Sequence, residues 1–107
     1  MLRVYRRRAG LTQRELGMIL GFVDDNEVSR HERSATLPPL ITALAYEAVF
    51  RVSVSALFPT LHAEIEQRIS DNLAAFEQRL EGQNGKGRGA RQTAQKLTWL
   101  TERKAVL

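Results

Sequence analysis

The sequence predicts an all-α fold, with five short helices in residues 1–59 and a helical extension after them. Three observations carry that expectation. Apolar side chains recur three or four positions apart through most of the chain, the period of a helix with one buried face. Residues that start and stop helices stand between those stretches, with Thr12, Ser53 and Ser55 at starts and Gly10 and Gly21 at ends. Two breaks punctuate the chain as well: Pro38-Pro39, and the run Gly82 to Gly89 with four glycines and no apolar side chain.

The first helix covers Leu2 to Arg8, with Leu2, Tyr5 and Ala9 as its apolar stripe and Arg3, Arg6, Arg7 and Arg8 around the rest. Gly10 is placed to end it in a left-handed turn. Thr12 opens the second helix, and Glu15 three residues later completes a capping box. Leu16, Ile19 and Leu20 are expected inward, and Gly21 stops the helix. Gly17, in mid-helix, costs roughly 1 kcal/mol in propensity. Close approach of the next helix is the expected compensation.

Asp24 or Asp25 can cap a third helix running to about Arg33, with Val28 inward. Asp25, Asn26, Ser29, Arg30 and Arg33 can point outward, flanked by Glu27. The fourth helix starts at Pro39, and its apolar rows, Leu40, Ile41, Leu44, Ala45, Ala48, Val49 and Val52, form the most buried pattern expected anywhere in the chain. A short fifth helix carries Leu57 and Phe58. Residues 60–81 form one amphipathic helix with Leu61, Ile65, Ile69, Leu73, Phe76 and Leu80 on one side. Residues 82–91 are expected to be a flexible Gly/basic linker, and 92–107 a weak helix or tail with Leu97 and Leu100 on one side and Trp99 off that stripe.

Composition narrows the function. A chain of 107 residues suits one small domain with an appended arm. Without cysteine, neither a disulfide framework nor a thiolate metal site is possible. The most apolar window, Leu40 to Phe58, is interrupted by Glu47 and Arg51, so no membrane span is expected and a cytoplasmic location is the default. The net charge of +4 favours a polyanionic partner. It is unevenly spread: +2 over residues 1–59, −3 over 60–81 and +5 over 82–107. Arginine supplies 13 of the 16 cations, which suits phosphate and guanine contacts. No nucleophile–base–acid constellation is visible, so neither an enzyme nor a cofactor is expected. Glycines 85–89 are not a phosphate loop, since no strand precedes them and the Gly-Lys-Ser/Thr ending is missing.

Leu11 to Arg33 reads as two short helices with a turn between them, the second lined with polar and basic side chains. That is the layout of a helix-turn-helix, in which one helix braces against the DNA backbone and the next reads the major groove. Two motifs extend the likeness: Thr12-Gln13-x-Glu15-Leu16-Gly17-x-x-Leu20-Gly21 and Val28-Ser29-Arg30-x-Glu32-Arg33. With these, with Arg6-x-x-x-Gly10-Leu11 upstream and with Val52-Ser53-Val54-Ser55-Ala56-Leu57 downstream, the chain resembles the Cro and phage-repressor (XRE) type of helix-turn-helix protein over residues 2–58. The resemblance implies a five-helix, lambda-repressor-like DNA-binding domain at residues 1–59. It also implies a transcriptional regulator, a repressor by operator occupancy, that binds double-stranded DNA as a homodimer.

By the same resemblance Gln13 anchors to a phosphate, Asp25, Asn26, Ser29 and Arg30 reach base edges, Arg33 lies toward a phosphate, and Arg6 pairs with Glu32 as scaffold. Asn can bond adenine bidentately and Arg guanine. Three departures stand out. The segment between Gly21 and Val28 is one residue longer than usual, so the turn is enlarged or the third helix starts earlier. His31 replaces an apolar residue, and Ser34 replaces a glycine. Asp24, Asp25, Glu27 and His31 can be drawn as a metal cluster, but the packing role expected of His31 argues against it and no metal is expected. The 49 residues beyond the resemblance leave an alternative open: an antitoxin-like interaction protein that binds a protein partner through residues 60–107.

Overall fold

The computed structural model describes residues 1–24, 26–83 and 87–105; among them are seven helices and no strand, as an all-α reading requires. In chain order these are α1 (Leu2–Arg8), α2 (Gln13–Leu20), α3 (Glu27–Glu32), α4 (Leu40–Phe50), α5 (Val54–Leu57), α6 (Pro59–Gln83) and α7 (Ala90–Ala105). The chain divides into two compact units, Met1–Ala63 and Glu64–Leu107.

The first unit is built around one side chain from each of its five short helices: Leu2, Leu16, Val28, Tyr46 and Leu57, none more than 1% exposed. Tyr5, Leu11, Leu20, Phe22, Val49, Phe50, Val52 and Phe58 close around them. Helices of four to eleven residues are not stable alone in water. Burial of each large core side chain, roughly 1.5–3 kcal/mol, is therefore what holds them. Local signals fix where they begin and end. Gly10 turns the chain at φ +75°, and Ser53 Oγ accepts the Ala56 N–H at the start of α5. Glu47, near the end of α4, accepts the Val54 N–H and so links α4 to α5.

The fourth helix is turned differently from the expectation. Leu40, Ile41 and Leu44 are 73%, 82% and 50% exposed, and Ala48 is exposed beside them. Ala43 and Tyr46 are buried instead, with Ala45, Val49 and Phe50 half-buried. The cause is compositional: in Leu40–Phe50 only Thr42 and Glu47 are polar, so apolar residues surround the helix and periodicity cannot select a face. Packing selected the side that seats the large Tyr46 ring. Ile19 (57% exposed) and Ala9 (exposed) also lie outside the core.

In the second unit, Leu80 and Leu100 are buried and Thr93 joins them. Lys104 Nζ lies 2.8 and 3.0 Å from the two Glu77 oxygens, so the end of α7 meets the last third of α6. The two helices run antiparallel. α6 continues through Gly82 and Gln83, the first residues of the expected linker, and α7 begins at Ala90. Asn84, Gly85 and Lys86 of that linker lie outside the described residues.

Candidate nucleic-acid interface

The α2–turn–α3 segment is assembled from capping chemistry. At the start of α2 the Glu15 N–H donates to Thr12 Oγ1 at 3.0 Å and the Thr12 N–H donates to Glu15 Oε1 at 2.9 Å, a complete capping box. These bonds hold the Glu15 carboxyl below its ordinary range. At the other end Gly21 takes φ +79°. The Phe22 N–H reaches Gly17 O at 2.8 Å and the Gly21 N–H reaches Met18 O at 3.1 Å, the two bonds of a Schellman ending. Gly17 lies beneath Phe22 and Val28. A methyl group there would meet both at 3.9 Å, an ordinary contact distance, so close approach alone does not demand glycine.

The turn is closed by Asp24. Its Oδ1 accepts the Asn26 N–H at 2.9 Å, and its Oδ2 accepts from Arg30 Nη2 at 2.9 Å. The Asn26 backbone bond and then the Arg30 bond hold the Asp24 carboxyl below its ordinary range. Asn26 therefore enters α3 already turned, and its side chain makes no capping bond. The helix starts at Glu27, and the Asn26 amide takes no part in capping it.

The inner face of α3 is fixed at three points. Val28 is in the core. His31 is 3% exposed, with Nδ1 2.8 Å from the Tyr46 hydroxyl and Nε2 3.9 Å from Glu27 Oε2. A neutral ring with its proton on Nε2 faces the Glu27 carboxylate and accepts the Tyr46 O–H. Desolvation pushes the His31 pKa down, with the Arg30 charge acting the same way against the opposing Glu27 charge. Burial raises that of Tyr46, helped by Glu32 and Glu27. The third point is the Glu32 carboxylate, whose side chain is 1% exposed. Arg6 Nε and Nη2 donate to it at 2.6 and 3.2 Å, and Gln13 Nε2 donates at 3.0 Å. Arg3 approaches to 3.7 Å. Burial works to raise the Glu32 pKa, but the hydrogen bonds from Arg6 and Gln13 and the charges of Arg6 and Arg3 outweigh it and lower the pKa. Arg6 Nη1 also donates to Leu11 O at 2.9 Å, so one guanidinium ties α1, the α1–α2 turn and α3 together.

The outer face presents Asn26 (exposed), Ser29 and Arg30 (half-buried) and Arg33 (exposed), whose Nε reaches Ser29 O at 3.3 Å. Asp25, the fourth residue expected at base edges, lies outside the described residues. Gln13 is the first residue of α2, with one amide hydrogen given to Glu32 and the other left over. Among the described residues no group of three His, Cys, Asp or Glu side chains comes together to hold a metal. Sequence reasoning missed two features: the second Asp24 bond, to Arg30, and Tyr46 as the partner of His31. A histidine at a packing position needs a buried partner, which was the available signal for Tyr46.

Five short helices, with α2 and α3 joined by a turn and a polar, arginine-bearing outer face on α3, define a helix-turn-helix domain. A helix-turn-helix family model matches residues 2–57, just over half of the chain, and the chain belongs to that family, of the Cro and phage-repressor (XRE) type. It is a DNA-binding transcription regulator. No helix among the described residues is long and apolar enough to cross a membrane. Neither the curated proteins nor the solved structures contain a significant match.

Proposed function

We propose that the protein is a sequence-specific repressor that acts by occupying an operator in double-stranded DNA. The observation that carries this reading is the outer face of α3. Asn26, Ser29 and Arg30 stand on a helix whose inner face is fixed by Val28, His31 and Glu32. In this reading the first turns of α3 enter the major groove, Asn26 and Arg30 address base edges, and Ser29 lies between them. Asp25, by its place in the sequence, joins them at the groove edge. Gln13 and Arg33 hold phosphates on either side. The protein binds as a homodimer, one α3 per half-site, with half-sites about one helical turn apart. No bond in the DNA changes.

Selection from a random DNA pool tests this directly. A symmetric motif with half-sites about 10 base pairs apart is expected, and no enriched motif overturns the reading. On the selected site, Arg30→Ala is expected to cost roughly 1–3 kcal/mol and to relax preference at one base pair. Equal loss on every site variant would make Arg30 a phosphate contact.

A second reading gives the second unit a protein partner, as in an antitoxin-like protein. It is supported by Ile65, Ile69 and Trp99, which are 45%, 42% and 51% exposed on that unit. Co-purification from the native source tests it. A stoichiometric partner lost on deleting residues 82–107 supports it, and a homodimer alone overturns it.

A further inference from the structure

Resting on the DNA-reading role of Arg30 proposed above, we infer that Asp24 is a positioning residue that sets the Arg30 guanidinium for a single base pair. An arginine has a long, rotamer-rich side chain, and ordering it on contact with DNA weakens binding. Here the ordering is already done by the protein. The Asp24 carboxylate cannot rotate freely, because Oδ1 is fixed by the Asn26 N–H at 2.9 Å. Its other oxygen takes Arg30 Nη2 at 2.9 Å, from six residues upstream. The guanidinium is thereby referenced to the backbone at the start of its own helix.

The corner of the guanidinium that is held matters. Glu27 Oε1 stands 3.6 Å from the same Nη2, so both carboxylates gather at one nitrogen. An arginine has five N–H donors in a planar fork. One is given to Asp24, and the rest remain for the O6 and N7 acceptors of a guanine, which need two. The side chain is 35% exposed, open enough to be reached without being released. The same two carboxylates offset the arginine charge toward phosphates. They weaken its hold on DNA of arbitrary sequence, which is a phosphate interaction. The residue that adds order to the specific complex thus subtracts from the nonspecific one.

The substitution that separates positioning from simple repulsion is Asp24→Asn, because an amide oxygen can still accept the Asn26 N–H while the charge is lost. Binding of wild type, Asp24→Asn, Arg30→Ala and the double variant is measured on the selected site and on its three variants at the base pair that Arg30 governs. Circular dichroism confirms that each is folded. Asp24→Asn is expected to lower discrimination at that base pair by roughly tenfold, the scale of ordering one such side chain, and to tighten binding to unrelated DNA. In the Arg30→Ala background the same change should leave discrimination unaltered. A uniform change across all four base pairs, or none, overturns the positioning role while the DNA-reading role of α3 stands. Failure of wild type to select any motif overturns both.

Discussion

The two faces of α3 are held by different chemistry. Inward, Val28 is in an apolar core, His31 shares a bond with Tyr46, and the Glu32 carboxylate receives Arg6 and Gln13 with almost no contact with water. Outward, Arg30 is held by carboxylates that are themselves 48% and 38% exposed, and Asn26 is exposed. Electrostatics at the inner face acts in a low dielectric and bears on folding. At the outer face it is screened by solvent and contributes little to stability, so folding places little demand on those residues and the recognition role proposed for them is compatible with the fold. A six-residue helix is a poor platform by itself, and its inner face is what makes it one.

Substitutions on the two faces should therefore separate stability from recognition. Glu32→Ala leaves the buried Arg6 guanidinium without its carboxylate and is expected to cost about 3–5 kcal/mol in urea unfolding. Replacing both members, as Arg6→Met with Glu32→Leu, should recover much of that loss. A double variant as unstable as the single would show that the bridge is not the cause. Next in size, Arg30→Ala should leave unfolding within about 0.5 kcal/mol of wild type while it weakens the selected DNA site. Large destabilisation there would erase the contrast between the faces.

Acid should act chiefly through the inner face, since the lowered carboxyls of Glu15 and Asp24 stand in solvent that screens their contribution. His31 has its pKa depressed below 6.5 in the folded state and Glu32 below 4.5, so in both cases the unfolded chain binds the proton more readily. Stability is full above those ordinary values and falls with pH, first as His31 protonates and then as Glu32 does. The thermal midpoint is expected to decline below about pH 6.5, and His31→Phe should remove the first part of that decline.

Two exchanges of glycine come next. Ser34 follows the third helix at φ +59°, a left-handed conformation that costs an L-residue roughly 1–2 kcal/mol. Ser34→Gly should stabilise by about 1 kcal/mol, and Gly17→Ala, with ordinary contacts to receive the methyl, by somewhat less. Calorimetry would check both; a loss at Gly17 would show that packing at this site needs glycine for a reason other than contact distance. Smallest of all, Ile41→Ser should change unfolding by under about 0.5 kcal/mol, because that side chain is 82% exposed.

How much of this could be read beforehand follows from how local each cause is. The capping box of Thr12 and Glu15 and the stop at Gly21 depend on neighbours within one turn, and the residues alone declare them. The Arg6–Glu32 bridge spans 26 residues, and no spacing rule predicts it; it came through the resemblance. The orientation of α4 was hidden because nearly every residue of that helix is apolar, so the decisive fact, the fit of the Tyr46 ring against His31, is a tertiary one. Asp24 was legible as a cap, but its reach to Arg30 depends on the path of the chain into α3. Ser34 was visible as a departure, and its positive φ shows that the backbone kept the glycine geometry without the glycine.

The span of the Arg6 guanidinium has a consequence for how the domain opens. α1 has seven residues and cannot persist once detached, yet it carries the donors that neutralise a carboxylate on α3. Fraying of the first helix strips that charge of its partner, and α3 must then open to hydrate it. The amide hydrogens of α1 and of the last turn of α3 should accordingly exchange with solvent as one cooperative unit, faster than those of α2, although α2 lies between them in the chain.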